Sequence, residues 1–248
     1  GDSGPATAAQ LNEPYEVRFD RRGDMYFVEM RNHLIRKVNN RTGDISTVAG
    51  TGRPGYSGDG GPALQAHFSR PHSIVLDGAG GLYIADIGNH RIRKVDLRTG
   101  VVTSIAGTKE RALPVDGLQA RGQPVLGPRA LCFSNDTLWV ALREGHSVWR
   151  LADGRWRHVS GSGEKGYEFG NVAAKDASYD GPKGVAVGPD GAVYVVDTEN
   201  HAIRRIDLET GRVETIAGGG PEAGGYRGDH GDALRAQLHR PHGICVDS

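Results

Sequence analysis

Two cysteines in 248 residues cannot frame a disulfide-stapled domain. Aromatic side chains make up only 6%, too few for the stacked, basic face of an RNA reader. Neither sign of charge is in excess. Thirty Lys and Arg face thirty Asp and Glu, so no bulk field draws the chain to nucleic acid or an anionic membrane surface. No apolar run approaches the ~20 residues of a membrane-spanning helix, and the N-terminus carries no signal-peptide pattern. There is no G-x-S-x-G elbow and no phosphate-binding loop. What is plentiful is glycine, 38 residues, and it recurs with a period instead of clustering in a linker.

The period is set by a proline. Pro14, Pro71, Pro128, Pro182 and Pro241 are separated by 57, 57, 54 and 59 residues. Each full unit carries four short runs rich in Val, Ile, Leu and Tyr, which suit a pleated, half-buried surface. In the second unit they read "HSIVLD", "GLYIAD", "RIRKVD" and "VVTSIAG". Between them stand "DGAGG", "IGNH" and "LRTG", where glycine supplies positive φ and Asn or Asp tolerates it. Four strands per unit, repeated, predict an all-β fold: a β-propeller of four-stranded antiparallel blades. The expected blades are residues 13–50, 70–107, 127–161 and 181–218, with the first strand of a fifth at 240–248, all in a single domain covering 1–248. A small sheet cannot bury both faces alone, so blade-to-blade contacts must carry most of the stability, at about 25 cal/mol per Å² of apolar area removed from water. Cys132 and Cys245 each stand four residues after a repeat proline, in apolar runs, and read as small buried fillers.

One histidine recurs in every unit: His33, His90, His146 and His201. A residue that every repeat keeps most simply serves folding, here by hydrogen-bonding a turn. Before it stands an acidic ring, Glu29, Asp86 and Asp197, with Leu142 in the third unit. Those carboxylates are expected to accept hydrogen bonds from the turn or to pair with Arg36, Arg93 and Arg204.

The stretch "RPHSIVLDGAGGLYIADIGNHRIRKVD" resembles an NHL repeat, and Asn32, His33 and Leu34 reproduce the triplet that names the family. The resemblance spans essentially the whole chain and is loosest in the third unit, "LREGHSVWRL". It implies a propeller, commonly of six blades, of which four blades and one strand would be part of a longer protein. Long glycine-rich connectors such as "YSGDGGPA" are similar to those of bacterial NHL proteins, which implies an extracellular or periplasmic location. The N-terminal "GDSGPATAAQLNEP" matches the second half of such a connector and is expected to supply no strand. "ALQAHFSRP" is expected to form a short helical turn over the blade edge.

Unique chemistry should lie where the copies differ. The residue after each repeat proline is Tyr15, His72, Arg129, Lys183 and His242, at the start of a first strand and so at a channel mouth, where pockets form. Two readings stay open. They are solvated strand ends, or they form a binding ring for a protein, peptide or glycan. In the second case Arg129 and Lys183 would hold an acidic group. "RPHSIVLD" and "RPHGICVD" are similar to the strand starts that supply zinc ligands in peptidylglycine amidating lyase, which makes His72 and His242 the metal candidates and a lyase or hydrolase the alternative function. The third histidine of that lyase has no match in this chain. Asp59, Asp229 and Asp232 in the glycine-rich connectors are the candidates for calcium. The tripeptide Arg-Gly-Asp, at Arg22–Asp24 and Arg227–Asp229, reads as coincidence.

Overall fold

The computed structural model describes residues 1–247. The chain separates into two compact units, Gly1–Arg111 with Arg121–Val125, and Ala112–Ala120 with the chain from Leu126 onward. Each holds two blades.

In the first unit, blade one consists of β1 (Gly4–Pro5), β2 (Pro14–Phe19), β3 (Met25–Glu29), β4 (Leu34–Val38) and β5 (Asp44–Ala49), in the order β1-β5-β4-β3-β2. Blade two is the meander β6 (Ser73–Leu76), β7 (Gly81–Asp86), β8 (Arg91–Asp96) and β9 (Val101–Ala106). In the second unit, blade three is the meander β10 (Pro128–Ser134), β11 (Thr137–Leu142), β12 (Ser147–Ala152) and β13 (Arg155–Ser160). Blade four holds β14 (Val172–Ala173), β15 (Gly184–Val187), β16 (Val193–Asp197), β17 (Ala202–Asp207) and β18 (Arg212–Gly218), with β14 paired outside β18.

Inside each unit the greasy faces of two blades meet. Tyr26, Val28 and Ile35 of blade one pack with Ile74, Leu82 and Ile84 of blade two around Phe68 from the connector. In the other unit Trp139, Ala141 and Val148 meet Val185, Val193 and Val195 around Tyr179. Fully burying one such side chain contributes ~1.5–3 kcal/mol, so these layers hold the blades together.

The connectors guard the sheet edges. Gly4 and Pro5 pair with Ile45 and Asp44 on the outer strand of blade one, which corrects the expectation that the N-terminal piece supplies no strand. The same crossing recurs at Pro62↔Val101, Gln119↔Arg155 and Val172↔Val213. A connector that lays one or two residues on an outer strand satisfies its open hydrogen-bonding edge. Short 3₁₀ turns follow or accompany the crossing, at Ala63–Gln65 and Ala174–Asp176 among others, as the sequence predicts.

Residues 241–247 adopt no strand; they lie against blade four, where the Thr198 hydroxyl donates to the Pro241 carbonyl at 2.8 Å. Ser248, the last residue of the expected fifth strand, lies outside the described residues. Of the two cysteines, Cys132 is partly buried and packs against the core of the second unit, whereas Cys245 is exposed and is not the buried filler expected of it. Among the described residues no helix is long and apolar enough to cross a membrane.

Candidate functional site

The repeated polar residues form the scaffold. Each recurring histidine sits in the left-handed region, with φ of 56°, 50°, 43° and 54° at His33, His90, His146 and His201. The Nδ1 atoms of His33, His146 and His201 accept the backbone N–H of Arg70, Gly181 and Arg240 at 3.0, 3.2 and 3.0 Å. Those donors all stand one residue before the next repeat proline, so each histidine pins the entry to the following blade. Behind it, the glycine closing the outer strand has no alternative. A Cβ on Gly50, Gly107, Gly161 or Gly218 would lie 2.4, 2.2, 2.5 or 2.1 Å from the carbonyl oxygen of the blade's own histidine.

The acidic ring is scaffold too. Glu29, Asp86 and Asp197 are fully buried. Asp197 accepts the Asp180 N–H at 2.8 Å, the Asn200 amide at 2.9 Å and Arg204 at 3.4 Å. Asp86 accepts Ser69 N–H and Asn89, each at 2.7 Å, with Arg93 at 3.9 Å. Glu29 accepts Asn12 N–H at 3.0 Å and Arg36 at 2.6 Å, and takes a short bond from Asn32. Burial pushes the carboxyls of Asp86 and Asp197 up to about 7, against the pull of these donors. The arginines are clamped from the connector side. Arg93 lies between the rings of Tyr56 and Phe68, at 5.1 and 5.0 Å, and Arg204 between Tyr167 and Tyr179, at 5.1 and 5.6 Å.

The five residues after the repeat prolines fall into two groups. In the first unit Tyr15 and His72 meet edge to face, centroids 4.9 Å apart. In the second, Arg129, Lys183 and His242 form a cationic cluster. The Lys183 backbone N–H donates to Val196 at 3.0 Å, which anchors the strand start, and its Nζ lies 2.9 Å from Glu199 Oε1 and 3.3 Å from His242 Nε2. Arg240 donates to the same Glu199 oxygen at 2.8 Å. Lys183 and Arg129 are 5% and 4% exposed, while the His242 end is open. Burial lowers the His242 imidazole, and the charges of Lys183, Arg129 and Arg240 lower it further. Burial also lowers Lys183. Glu199, despite burial, is held down at about 2 by hydrogen bonds from Arg240 and Lys183. Lys183 and Arg240 share the one Glu199 oxygen, and partial burial removes the water that would screen these charges.

Glu199 and Arg240 escape a reading that looks only behind the prolines. Their signal is variation inside the motif: the position of Glu199 reads Arg31, Gly88 and Glu144 in the other blades.

The metal candidates fare less well. Nε2 of His242 lies 3.3 Å from the Lys183 ammonium, whose charge disfavours a cation there. His72 belongs to the other unit. Asp59 is committed to Arg93 and the Tyr56 hydroxyl, both at 2.7 Å, and Asp232 caps Leu234 N–H at 3.0 Å. Asp24, in the first Arg-Gly-Asp, is buried and holds Lys37 at 3.0 Å, so that tripeptide is not displayed.

Comparison with known proteins agrees with this anatomy. The NHL repeat family model matches residues 68–95 and 179–206, the segments that enter blades two and four. The chain is 26% identical over 263 residues to NHL repeat-containing protein 2 of Gallus gallus, covering 94% of this chain and 36% of that protein; it thus spans about a third of the relative's length. An auxiliary nutrient binding protein from Bacteroides ovatus superposes with a TM-score of 0.64 at 17% identity, covering 96% of this chain and 55% of that one. Virginiamycin B lyase from Staphylococcus aureus does so with 0.53 at 18% identity, over 84% and 56%. The fold is that of the β-propellers. Within that class, the chain carries NHL repeats at two positions and is similar to NHL repeat-containing proteins.

Proposed function

We propose that the chain is a non-enzymatic binding module that takes an acidic group of a protein, peptide or glycan at the strand starts of its second unit. One observation carries this reading: Lys183 and Arg240 converge on one oxygen of Glu199, Lys183 lies 3.3 Å from His242, the charge of Arg129 acts on the same imidazole, and the exposed His242 marks the open side. A bound carboxylate would exchange water for charge-assisted hydrogen bonds, the stronger kind. The rigid ladders behind the cluster pre-order its donors, so little entropy is lost on binding. Calorimetric titration with a tetraglutamate peptide tests it. Binding is expected for the glutamate peptide and not for tetraglutamine, and Arg129→Met or Lys183→Met should weaken it at least tenfold. Equal binding of both peptides would refute the reading.

A second reading, a lyase or hydrolase, is favoured by the lowered proton affinities of Lys183 and His242 at 3.3 Å separation. A neutral imidazole beside a cation can remove a proton from a bound anion. The likeness to virginiamycin B lyase lends the fold alone. Turnover of a carboxylate-bearing substrate that His242→Ala abolishes, with zinc or calcium assayed in the same sample, would favour this reading.

A further inference from the structure

The first unit carries a second feature that the repeat does not require. At the opposite ends of the first strands from Tyr15 and His72, a groove of about 660 Å³ opens between blades one and two. Its floor is apolar: Tyr26, Val48, Leu76 and Leu97, with Phe19 standing over it, 64% exposed. Gly78 and Gly80 in the β6–β7 turn leave the entrance clear; a Cβ on Gly80 would meet nothing within 4 Å. Basic residues line the rim: Arg21, Arg22 and Arg98, with Lys37 deeper in.

The local acids are mostly spoken for. Asp24 holds Lys37 at 3.0 Å and caps Asn40. Asp77 holds Lys94 at 3.1 Å and caps its own turn. Asp20 accepts the Arg22 and Asp24 N–H groups, which leaves its side-chain contact with Arg22 at 4.0 Å. Arg98 reaches Asp96 only at 3.8 Å, and Arg21 makes no ion pair among the described residues. Three weakly committed guanidinium groups over an apolar floor form a place for a ligand that is itself apolar in the middle and anionic at both ends.

We infer that this groove binds an acidic peptide segment whose apolar side chains insert between blades one and two while flanking carboxylates meet Arg21, Arg22 and Arg98. The occupant is chosen by charge complementarity and by shape. Guanidinium forks take carboxylates bidentately, and a groove of this volume accepts one or two large side chains. The site is separate from the second-unit cluster, and neither depends on the other.

The test uses the full chain and a fluorescent hexapeptide, DDFLDD, followed by polarisation at low salt. Binding should weaken at least tenfold for Arg21→Glu combined with Arg98→Glu, and also for Phe19→Ala. Because these side chains are exposed, unfolding midpoints should stay unchanged. All measurements are made in the Lys183→Met background, which removes the second-unit cluster as a competing site; there NNFLNN and DDGGDD should both bind at least tenfold more weakly than DDFLDD. Equal affinity for DDGGDD, or binding that survives the arginine reversal, would overturn the proposal. So would absence of DDFLDD binding in the Lys183→Met background, which would move the peptide to the other cluster.

Discussion

Blade three and blade four solve one packing problem with opposite chemistry. Blade four buries a carboxylate, an amide and a guanidinium, Asp197, Asn200 and Arg204, with Arg204 clamped between Tyr167 and Tyr179. Blade three carries Leu142, Gly145 and Trp149 at the same positions. Leu142 is fully buried, and Trp149 stacks on His158 at 4.6 Å and donates to Ser147 at 2.9 Å. The space beside Gly145 is filled by Leu113, which a Cβ would approach to 2.5 Å. Even the connector acid follows. Asp116, twelve residues before Pro128 as Asp59 is before Pro71, meets the His158 N–H at 3.1 Å instead of an arginine. The outer-strand bulge stays at the same place in both, at Val148/Trp149 and Ile203/Arg204. The three positions change together because a buried ion pair with one member missing is far worse than either complete solution.

That comparison can be broken most forcefully at Asp197. Asp197→Ala leaves Arg204 buried without its carboxylate, with the Glu168 carbonyl at 3.0 Å and the two tyrosine rings as its remaining partners. Urea unfolding should show a loss of about 3–5 kcal/mol. Asp86→Ala should cost less, because Arg93 keeps Asp59 at 2.7 Å. Replacing both partners, Asp197→Leu with Arg204→Met, should cost under about 2 kcal/mol, less than the single change. If the double variant is the worse of the two, the polar and apolar blades are not interchangeable solutions. A smaller effect is expected at the histidine both blades keep. His146→Ala strips the acceptor from the Gly181 N–H and should cost about 1–2 kcal/mol, despite the changed residues around it.

The smallest effect is with pH. Burial holds the imidazoles of His33 and His146 below their usual 6.5. Their contribution is complete above about 6.5 and is lost as pH falls through the lowered folded values. Glu199 adds a separate loss between 4.5 and about 2. His158 and His242, also held low by burial, share the first window, and Asp86 and Asp197, raised to about 7, oppose it. In unfolding midpoints against pH, the double variant His33→Ala, His146→Ala should therefore shrink the acid-side loss between 6.5 and the folded values without removing it, and leave the Glu199 window unchanged.

Much of the scaffold was legible because it repeats. The proline period locates the blades, and the recurring Asp, Asn, His and Arg declare a shared structural task that the hydrogen bonds at Asp86 and Asp197 then display. Edge-covering strands of two residues, such as Gly4–Pro5, were not legible, since nothing in their composition is strand-like and the partner strand decides them. Of the cationic cluster, sequence reveals Arg129, Lys183 and His242 through their position after the prolines. Glu199 and Arg240 join it only through the way the 241–247 segment lies on blade four, a long-range contact that local pattern does not encode.

The proposed division of labour is that repeated residues hold the blades while unmatched residues select a ligand. The most direct test measures tetraglutamate affinity and thermal unfolding together for Lys183→Met and Asp197→Ala. Lys183→Met should weaken binding at least tenfold, about 1.4 kcal/mol, while its Tm moves less than about 4 °C; Asp197→Ala should lower Tm well beyond that. A Lys183→Met protein that binds as before, or one that melts as early as Asp197→Ala, would contradict it.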